Sequence, residues 1–331
     1  MERTALVAGA GGFIGHHLVT YLTQHGYRVR GADVKLPEYE ESMADEFELC
    51  DLRDLGECAR VTRGVDEVYQ LAADMGGIGY ISANRADVAR NNVLINAHML
   101  EAASRSRVSR YFYSSSACVY PVYRQESPSV RPLREEDAYP AQPEEGYGWE
   151  KLYTEKLCEY YTAEGKLDTR VARFHNIYGP LGTYEGGREK APAAICRKVA
   201  LANSGDEIEV WGDGQQTRSF CYIDDCVEGI YRLMQSECHE PLNLGSEELI
   251  TIDELVDLAC RVAGKRLLKR HDTTKPEGVR GRNSDNSKLR RVLGWVPGTS
   301  LEEGMRETYA WIESVVRGEA LVSEGLGAAT A

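Results

Sequence analysis

The stretch TALVAGAGGFIG, residues 4–15, decides how the rest of the chain is read. Thr4 to Ala8 is a short apolar run of strand type, and it ends in a turn whose glycines fall at Gly9, Gly12 and Gly15, with Phe13 and Ile14 inside it. Beyond the turn, Leu18, Val19 and Leu22 share one side of a helical repeat. Strand, glycine turn and helix make one βα unit. Working outward, strand-like runs at 27–33, 46–50, 65–72 and 108–115 alternate with helical stretches near 55–62 and 92–104. Repeated units of this kind predict a parallel sheet with helices on both faces. The expected class is α/β, a Rossmann-type doubly wound sheet. After Lys151 the order loosens: a helix runs to about Glu164, a strand covers 169–174, and shorter elements follow. A smaller mixed α/β C-terminal lobe is the natural reading.

Composition limits the partners. The 331 residues carry 39 Lys and Arg against 52 Asp and Glu, a formal charge of -13, which argues against a nucleic-acid groove or an anionic membrane surface as the main partner. No apolar run reaches spanning length and the first residues lead straight into the strand, so a cytoplasmic protein is expected. Nine cysteines, an odd number without a C-x-x-C pair, suggest neither a disulfide framework nor a metal site. Cys221 and Cys226 are read as core, as are Cys158 and Cys196. Two loops, 123–146 and 182–190, have the composition of flexible covers over a cleft.

The chemistry-bearing residues gather at expected strand ends. Glycines at 9, 12 and 15 let backbone approach a pyrophosphate, and the following helix offers N–H groups and a favourable dipole. Asp33 follows Gly15 by 18 residues, close to the spacing of a carboxylate that takes ribose hydroxyls, and it would repel a 2′-phosphate. NAD is therefore favoured over NADP. Asp51 and Leu52, then Leu71, Ala72 and Ala73, occupy the ends of the third and fourth strands, where an open α/β sheet places its ligand. After the fifth strand comes SSSACVY at 114–120, and YGWEK at 147–151 opens a helix. Tyr147 and Lys151 lie one turn apart, so the ammonium can favour a phenolate that takes a proton from an alcohol. On this reading residues 1–174, with a return near 219–246, bind NAD; 175–218 and 247–316 hold the substrate; and 317–331 is a flexible tail.

Together the glycine turn, Asp33, Leu71-Ala72-Ala73, the serine cluster and Tyr147/Lys151 resemble the extended short-chain dehydrogenase/reductase superfamily, in particular its nucleotide-sugar-modifying members. The runs ADMGG at 73–77, SAC at 116–118, RFHNIYGP at 173–180, GGREKAP at 186–192, WGDG at 211–214, QTRSF at 216–220 and PEGVRGRNSD at 276–285 narrow the resemblance to the GDP-mannose 3,5-epimerase family. Between Lys198 and Trp211 the chain is slightly longer than the family pattern, and its tail differs.

The resemblance implies an isomerase acting on a GDP-sugar, and a homodimer. It makes Tyr147 the base at the C4 hydroxyl, Lys151 its partner at the nicotinamide ribose, Ser116 a hydroxyl that steadies the C4 oxygen, and Cys118 with Lys190 the acid/base pair at C3 and C5. Substrate contacts carried over with them are Gly76, Gly77, Ala117, Asn176, Glu189, Ala191, Lys198, Trp211, Gln216, Thr217, Arg218 and Arg282, the last two arginines supplying charge for a diphosphate. Taken alone, Cys118 could be an apolar filler and Lys190 a solvated loop charge. His175 is given no proton-transfer role. A 4-epimerase or 4,6-dehydratase on the same scaffold, and a silent NAD-binding sensor, are the competing readings; an intact Tyr147/Lys151 pair counts against the sensor.

Overall fold

The computed structural model describes residues 3–328, with side chains to Gly318. In chain order its elements are β1 (Thr4–Ala8), α1 (Phe13–Gln24), β2 (Arg28–Asp33), β3 (Glu46–Leu49), α2 (Leu55–Val61), β4 (Glu67–Gln70), α3 (Ile78–Ala83), α4 (Arg85–Arg105), β5 (Arg110–Ser116), α5 (Tyr147–Ala163), β6 (Thr169–Phe174) and β7 (Ile177–Tyr178). There follow α6 (Ala191–Leu201), β8 (Glu207–Trp211), β9 (Thr217–Ser219), β10 (Cys221–Tyr222), α7 (Ile223–Gln235), β11 (Leu242–Leu244), β12 (Leu249–Thr251), α8 (Ile252–Ala263), β13 (Leu268–Asp272), β14 (Gly281–Arg282), α9 (Ser287–Leu293) and α10 (Leu301–Ala328).

Seven strands form one parallel sheet in the order β11-β6-β5-β4-β1-β2-β3. The order reverses between β1 and β4, which opens a crevice at the carboxyl ends of the strands. Helices α1 and α7 cover one face, and α2, α4 and α5 the other, so the sheet is doubly wound as expected. Outside it lie a parallel pair β7-β10, a mixed sheet β12-β9-β14 and a parallel pair β8-β13. Among the described residues no helix is long and apolar enough to cross a membrane. The backbone of the expected tail is helical as far as Ala328, and 329–331 lie outside the described residues.

Local chemistry explains the boundaries. Helix α8 starts where Thr251 accepts from the Glu254 N–H and the Glu254 carboxylate accepts from the Thr251 N–H at 2.9 Å. It stops at Gly264, whose φ of +64° suits the left-handed cap. Helix α4 begins seven residues before the stretch its apolar spacing predicts, at Arg85 rather than Asn92. Its inner face carries Asn92 and Asn96, both fully buried, so polar residues occupy positions where a hydrophobic repeat is sought. The 123–146 loop is not a loose cover. Leu133 bridges to Ser284, and Gln125, Glu135 and Asp137 are buried.

A buried ion pair ties the sheet to α5. Arg173 on β6 donates to both carboxylate oxygens of Glu155, at 2.9 and 2.7 Å, and also to the Tyr120 hydroxyl at 3.2 Å and the Glu135 carbonyl at 2.8 Å. Both partners are at most 4% exposed. Replacing Glu155 by Ala strands a guanidinium in the interior, and the expected loss is about 3–5 kcal/mol of unfolding free energy, read as a lower urea midpoint. A change under about 1 kcal/mol would mean that water reaches Arg173.

Candidate functional site

The glycine turn is shaped for close backbone approach. Gly9 has φ +88°, and a Cβ there would sit 2.7 Å from the Ala72 nitrogen; one on Gly15 would sit 2.0 Å from the Gly9 carbonyl oxygen. No side chain caps α1 at Gly12, so the first N–H groups of the helix remain available to an anion. Asp33, at the end of β2, accepts from the Gly11 N–H at 3.0 Å and the Lys35 N–H at 3.2 Å. Burial, the largest influence, raises its carboxyl pKa against those bonds. A pocket lined by Gly11, Gly12, Phe13, His16, Lys35 and Tyr39 lies at this end of the sheet. An uncapped helix, a turn with no room for Cβ atoms and a strand-end carboxylate fit a dinucleotide. Asp51 follows the end of β3 as expected; it is half-exposed, and its carboxylate is held by Arg53 at 2.5 to 3.0 Å. Leu52 is core, and Leu71 and Ala72 line the underside of the turn.

The second half of the site stands at the end of β5. Ser116 caps the short turn at 117–119, accepting from the Cys118 N–H at 3.2 Å. Burial drives the Tyr147 phenol pKa well up, with Cys118 the next influence, and the Ser116 hydroxyl pulls it down against both. Lys151 is buried, donates to the Ser114 carbonyl at 2.9 Å and lies 5.4 Å from the centre of the Tyr147 ring. Burial lowers its pKa. Behind it Glu150 accepts from Asn92 at 3.0 Å and Asn96 at 3.2 Å, and burial pushes its carboxyl up to about 7 against the pull of Lys151 and those amides.

Cys118 completes this corner. Burial raises its thiol pKa, Glu144 raises it further, and Arg282 opposes both. Arg282, on β14, donates to the sulfur at 3.7 Å and to the Gln125 side-chain oxygen at 2.6 Å, and it is ion-paired with Glu144. Lys190, which caps α6, is shifted down by burial, and its charge is favoured by the Cys118 and Cys226 thiols. The Gly76-Gly77 turn meets the same loop: the Gly77 N–H donates to the Arg188 carbonyl at 3.1 Å, and a Cβ on Gly77 would lie 2.8 Å from the Glu189 carbonyl.

Other expected contacts sit further out. Asn176 donates to the Ser219 carbonyl at 2.9 Å, Thr217 to the Pro128 carbonyl at 2.6 Å and Gln216 to the Trp211 carbonyl at 2.8 Å. Buried oxygens of Glu189, Gln216 and Ser219 have no protein partner among the described residues. Lys198 donates to the Glu209 carbonyl at 2.8 Å, half-exposed Trp211 bonds Glu209 at 3.0 Å, and Ala191 packs on the main core. Ala117 is 2% exposed and packs with Val119, Tyr120 and Leu152. Glu144 and Gln125 escaped the sequence reading, since nothing in the loop's composition separates half-buried Glu144 from exposed Glu145, which pairs with Arg85. His175 is buried, bonded to Asn243 at 3.0 Å, and burial pulls it down to about 3, so it stays neutral.

With this geometry in view, comparison with known proteins is specific. Residues 5–245 match the model of the NAD dependent epimerase/dehydratase family. The chain belongs to that family. The GDP-mannose 3,5-epimerase of Arabidopsis thaliana is 48% identical over 315 residues, covering 95% of this chain and 83% of its own. A putative GDP-L-fucose synthase 2 from the same plant falls to 30%, over 96% of this chain and 94% of its own. Among solved structures, the UDP-glucose 4-epimerase of Thermotoga maritima superposes with a TM-score of 0.85 at 26% identity, over 95% of this chain and 99% of that one. Within the family the chain groups with the 3,5-epimerases, is an isomerase, and takes NAD as cofactor.

Gly9, Gly12, Phe13, Ile14 and Gly15 would meet the pyrophosphate, and Asp33 the adenosine ribose. Replacing Asp33 by Ala removes a charged acceptor and frees the Gly11 N–H. The expected result is roughly ten- to hundredfold weaker NAD binding, from about 1.5–3 kcal/mol per charged hydrogen bond. NAD content after purification and titration of the stripped protein measure it; unaltered retention would remove Asp33 from the ribose site.

Proposed function

We propose that this chain epimerises GDP-mannose at C3 and C5 to GDP-L-galactose, with GDP-L-gulose arising by inversion at C5 alone. A C–H beside an alcohol is too weak an acid for any side chain. A ketone at C4 acidifies both neighbours. NAD, when bound, supplies the acceptor and later the donor of the C4 hydride, so the reaction is redox-neutral. Tyr147 takes the C4 hydroxyl proton, Ser116 donates to the oxygen as negative charge develops there, and Lys151 holds the phenol and the nicotinamide ribose in register.

The observation that supports this reading is a thiol, Cys118, beside Ser116 and Tyr147, with an amine, Lys190, near enough for each to bear on the other's charge. A 4-epimerase has no use for that pair. Burial favours the uncharged form of both, a thiol that can give a proton and an amine that can take one. Once the thiol has given its proton and the amine has taken one, thiolate and ammonium have exchanged acid and base roles, so the pair serves a reversible reaction in both directions. Arg218 supports a diphosphate substrate: it bonds only the Thr217 and Glu277 carbonyls, has no carboxylate within ion-pair distance among the described residues, and is pulled to about 10 by burial and then by Arg282. Arg282 is already neutralised by Glu144, so its place is at the sugar end.

On this reading 1–174 and 219–246 form the cofactor lobe, and 175–218 with 247–316 the nucleotide-sugar lobe. Nine unpaired cysteines suit a reducing cytoplasm. A homodimer fits helices α4 and α5, which leave Val93, Leu94, Trp149 and Tyr153 exposed along one packed pair.

Incubation with GDP-mannose in heavy water should place deuterium at C3 and C5 by NMR; label at neither carbon would end the epimerase reading. Cys118→Ala should abolish that exchange while NAD stays bound, and near-normal turnover would return Cys118 to packing. Tyr153→Glu should convert a dimer to a monomer in light scattering; an unchanged mass would move the interface elsewhere.

A further inference from the structure

We propose that Glu144 is a positioning residue for the reaction: its carboxylate fixes the Arg282 guanidinium against the Cys118 sulfur and faces the same thiol itself. The inference rests on the reading of Cys118 as a proton-transfer group, and it concerns a residue outside the set carried over by resemblance.

Three contacts make the arrangement rigid. The Glu144 backbone N–H donates to the Cys118 carbonyl at 3.1 Å, which fastens the loop to the turn that carries the thiol. Its carboxylate pairs with Arg282, the same guanidinium that donates to the Cys118 sulfur at 3.7 Å. Arg282 is held on its other edge by Gln125, whose amide nitrogen donates to the carbonyls of Tyr120 and Pro121 at 3.1 and 3.2 Å. All three nitrogens of the guanidinium are thereby assigned, one each to carboxylate, amide oxygen and sulfur. Arg282 also stands opposite Arg218 in strand register, and the Glu144 carboxylate offsets the repulsion between the two guanidinium groups.

The bland alternative is that Glu144 only neutralises a buried cation. The two differ in what the thiol senses. Cys118 faces Ser116 on its own turn, Tyr147 and Lys151 on α5, Glu144 on the loop, Arg282 on β14, Arg218 on β9 and Lys190 at the start of α6. Glu144 opposes the thiolate and Arg282 favours it. Removing only the carboxylate charge leaves the guanidinium unopposed, so thiolate forms at lower pH. Weakening the guanidinium contact leaves the carboxylate unopposed, and thiolate forms at higher pH.

The test is the pH dependence of iodoacetamide labelling at Cys118 in the NAD-loaded enzyme, read by peptide mass spectrometry, with buried Cys196 and Cys226 reporting global opening. It needs no substrate, so it stands apart from whether the chain is an epimerase. Glu144→Gln should lower the labelling midpoint and speed modification about tenfold at a fixed pH below it, one pH unit being tenfold in thiolate. Arg282→Lys should move the midpoint upward, with roughly threefold slower labelling. Opposite shifts support the proposal. An unmoved midpoint in Glu144→Gln with Cys196 protected overturns it and leaves a counter-ion. If Cys196 labels in that variant, Arg282→Lys decides: an unmoved or lowered midpoint there overturns it too.

Discussion

An ammonium and a phenol must be kept out of water beside a partly exposed thiol at the end of β5, and the packing around them answers that demand. Each would prefer solvent when charged, and burial pushes all three towards neutrality. What holds them is backbone. The Ser114 carbonyl takes the Lys151 ammonium, which also lies 4.9 Å from the centre of the Tyr113 ring. Gly148 lets α5 come so near the turn that a Cβ would stand 2.4 Å from the Cys118 carbonyl oxygen. A larger residue there would separate helix from turn and Tyr147 from Ser116. The buried Arg173–Glu155 pair fixes the same helix further along, where Ser115 donates to Glu155.

The parts legible in the sequence are those written in glycine and in apolar period. Gly9 and Gly15 announce a turn because a Cβ at either would strike backbone, and β1 occupies the apolar run from Thr4 to Ala8. The opening of α4 was hidden because its buried face is built from amides. Asn92 bonds both the Asp74 backbone and Glu150, a use for an inward position that no hydrophobic count detects. The 123–146 loop looks like a cover by composition, yet Asp137 in it pairs with Arg124 and Arg131 and is 4% exposed. Composition reports what a segment is made of, and burial depends on partners more than a hundred residues away, such as Arg282 for Gln125.

Glu144 and Glu145 show the same limit at the smallest scale. They are identical neighbours, one enclosed with Arg282 and Cys118, the other on the surface with Arg85. The chain turns between them into Gly146, whose φ of +71° allows α5 to begin at Tyr147. Which glutamate points inward is set by the Glu144 N–H reaching the Cys118 carbonyl, a contact made only once β5 and the loop are in place.

Charge explains how an acidic molecule can hold an acidic ligand. The chain carries -13 overall, but screening confines that charge to about 8 Å in physiological salt, so what a diphosphate meets is the local set. Among the described residues that set divides cleanly. Arg282 is neutralised by Glu144 and turned towards sulfur, whereas Arg218 is bonded to carbonyls and lacks a carboxylate partner. A guanidinium kept dry without an anion is costly, and burial already draws its pKa to about 10. On the proposed function, a phosphate oxygen bound there would relieve that cost, whereas the same oxygen at Arg282 would first have to displace Glu144. On the same reading, the pairing of one arginine and the lack of a carboxylate partner for the other would orient a nucleotide sugar, diphosphate towards Arg218 and hexose towards Cys118.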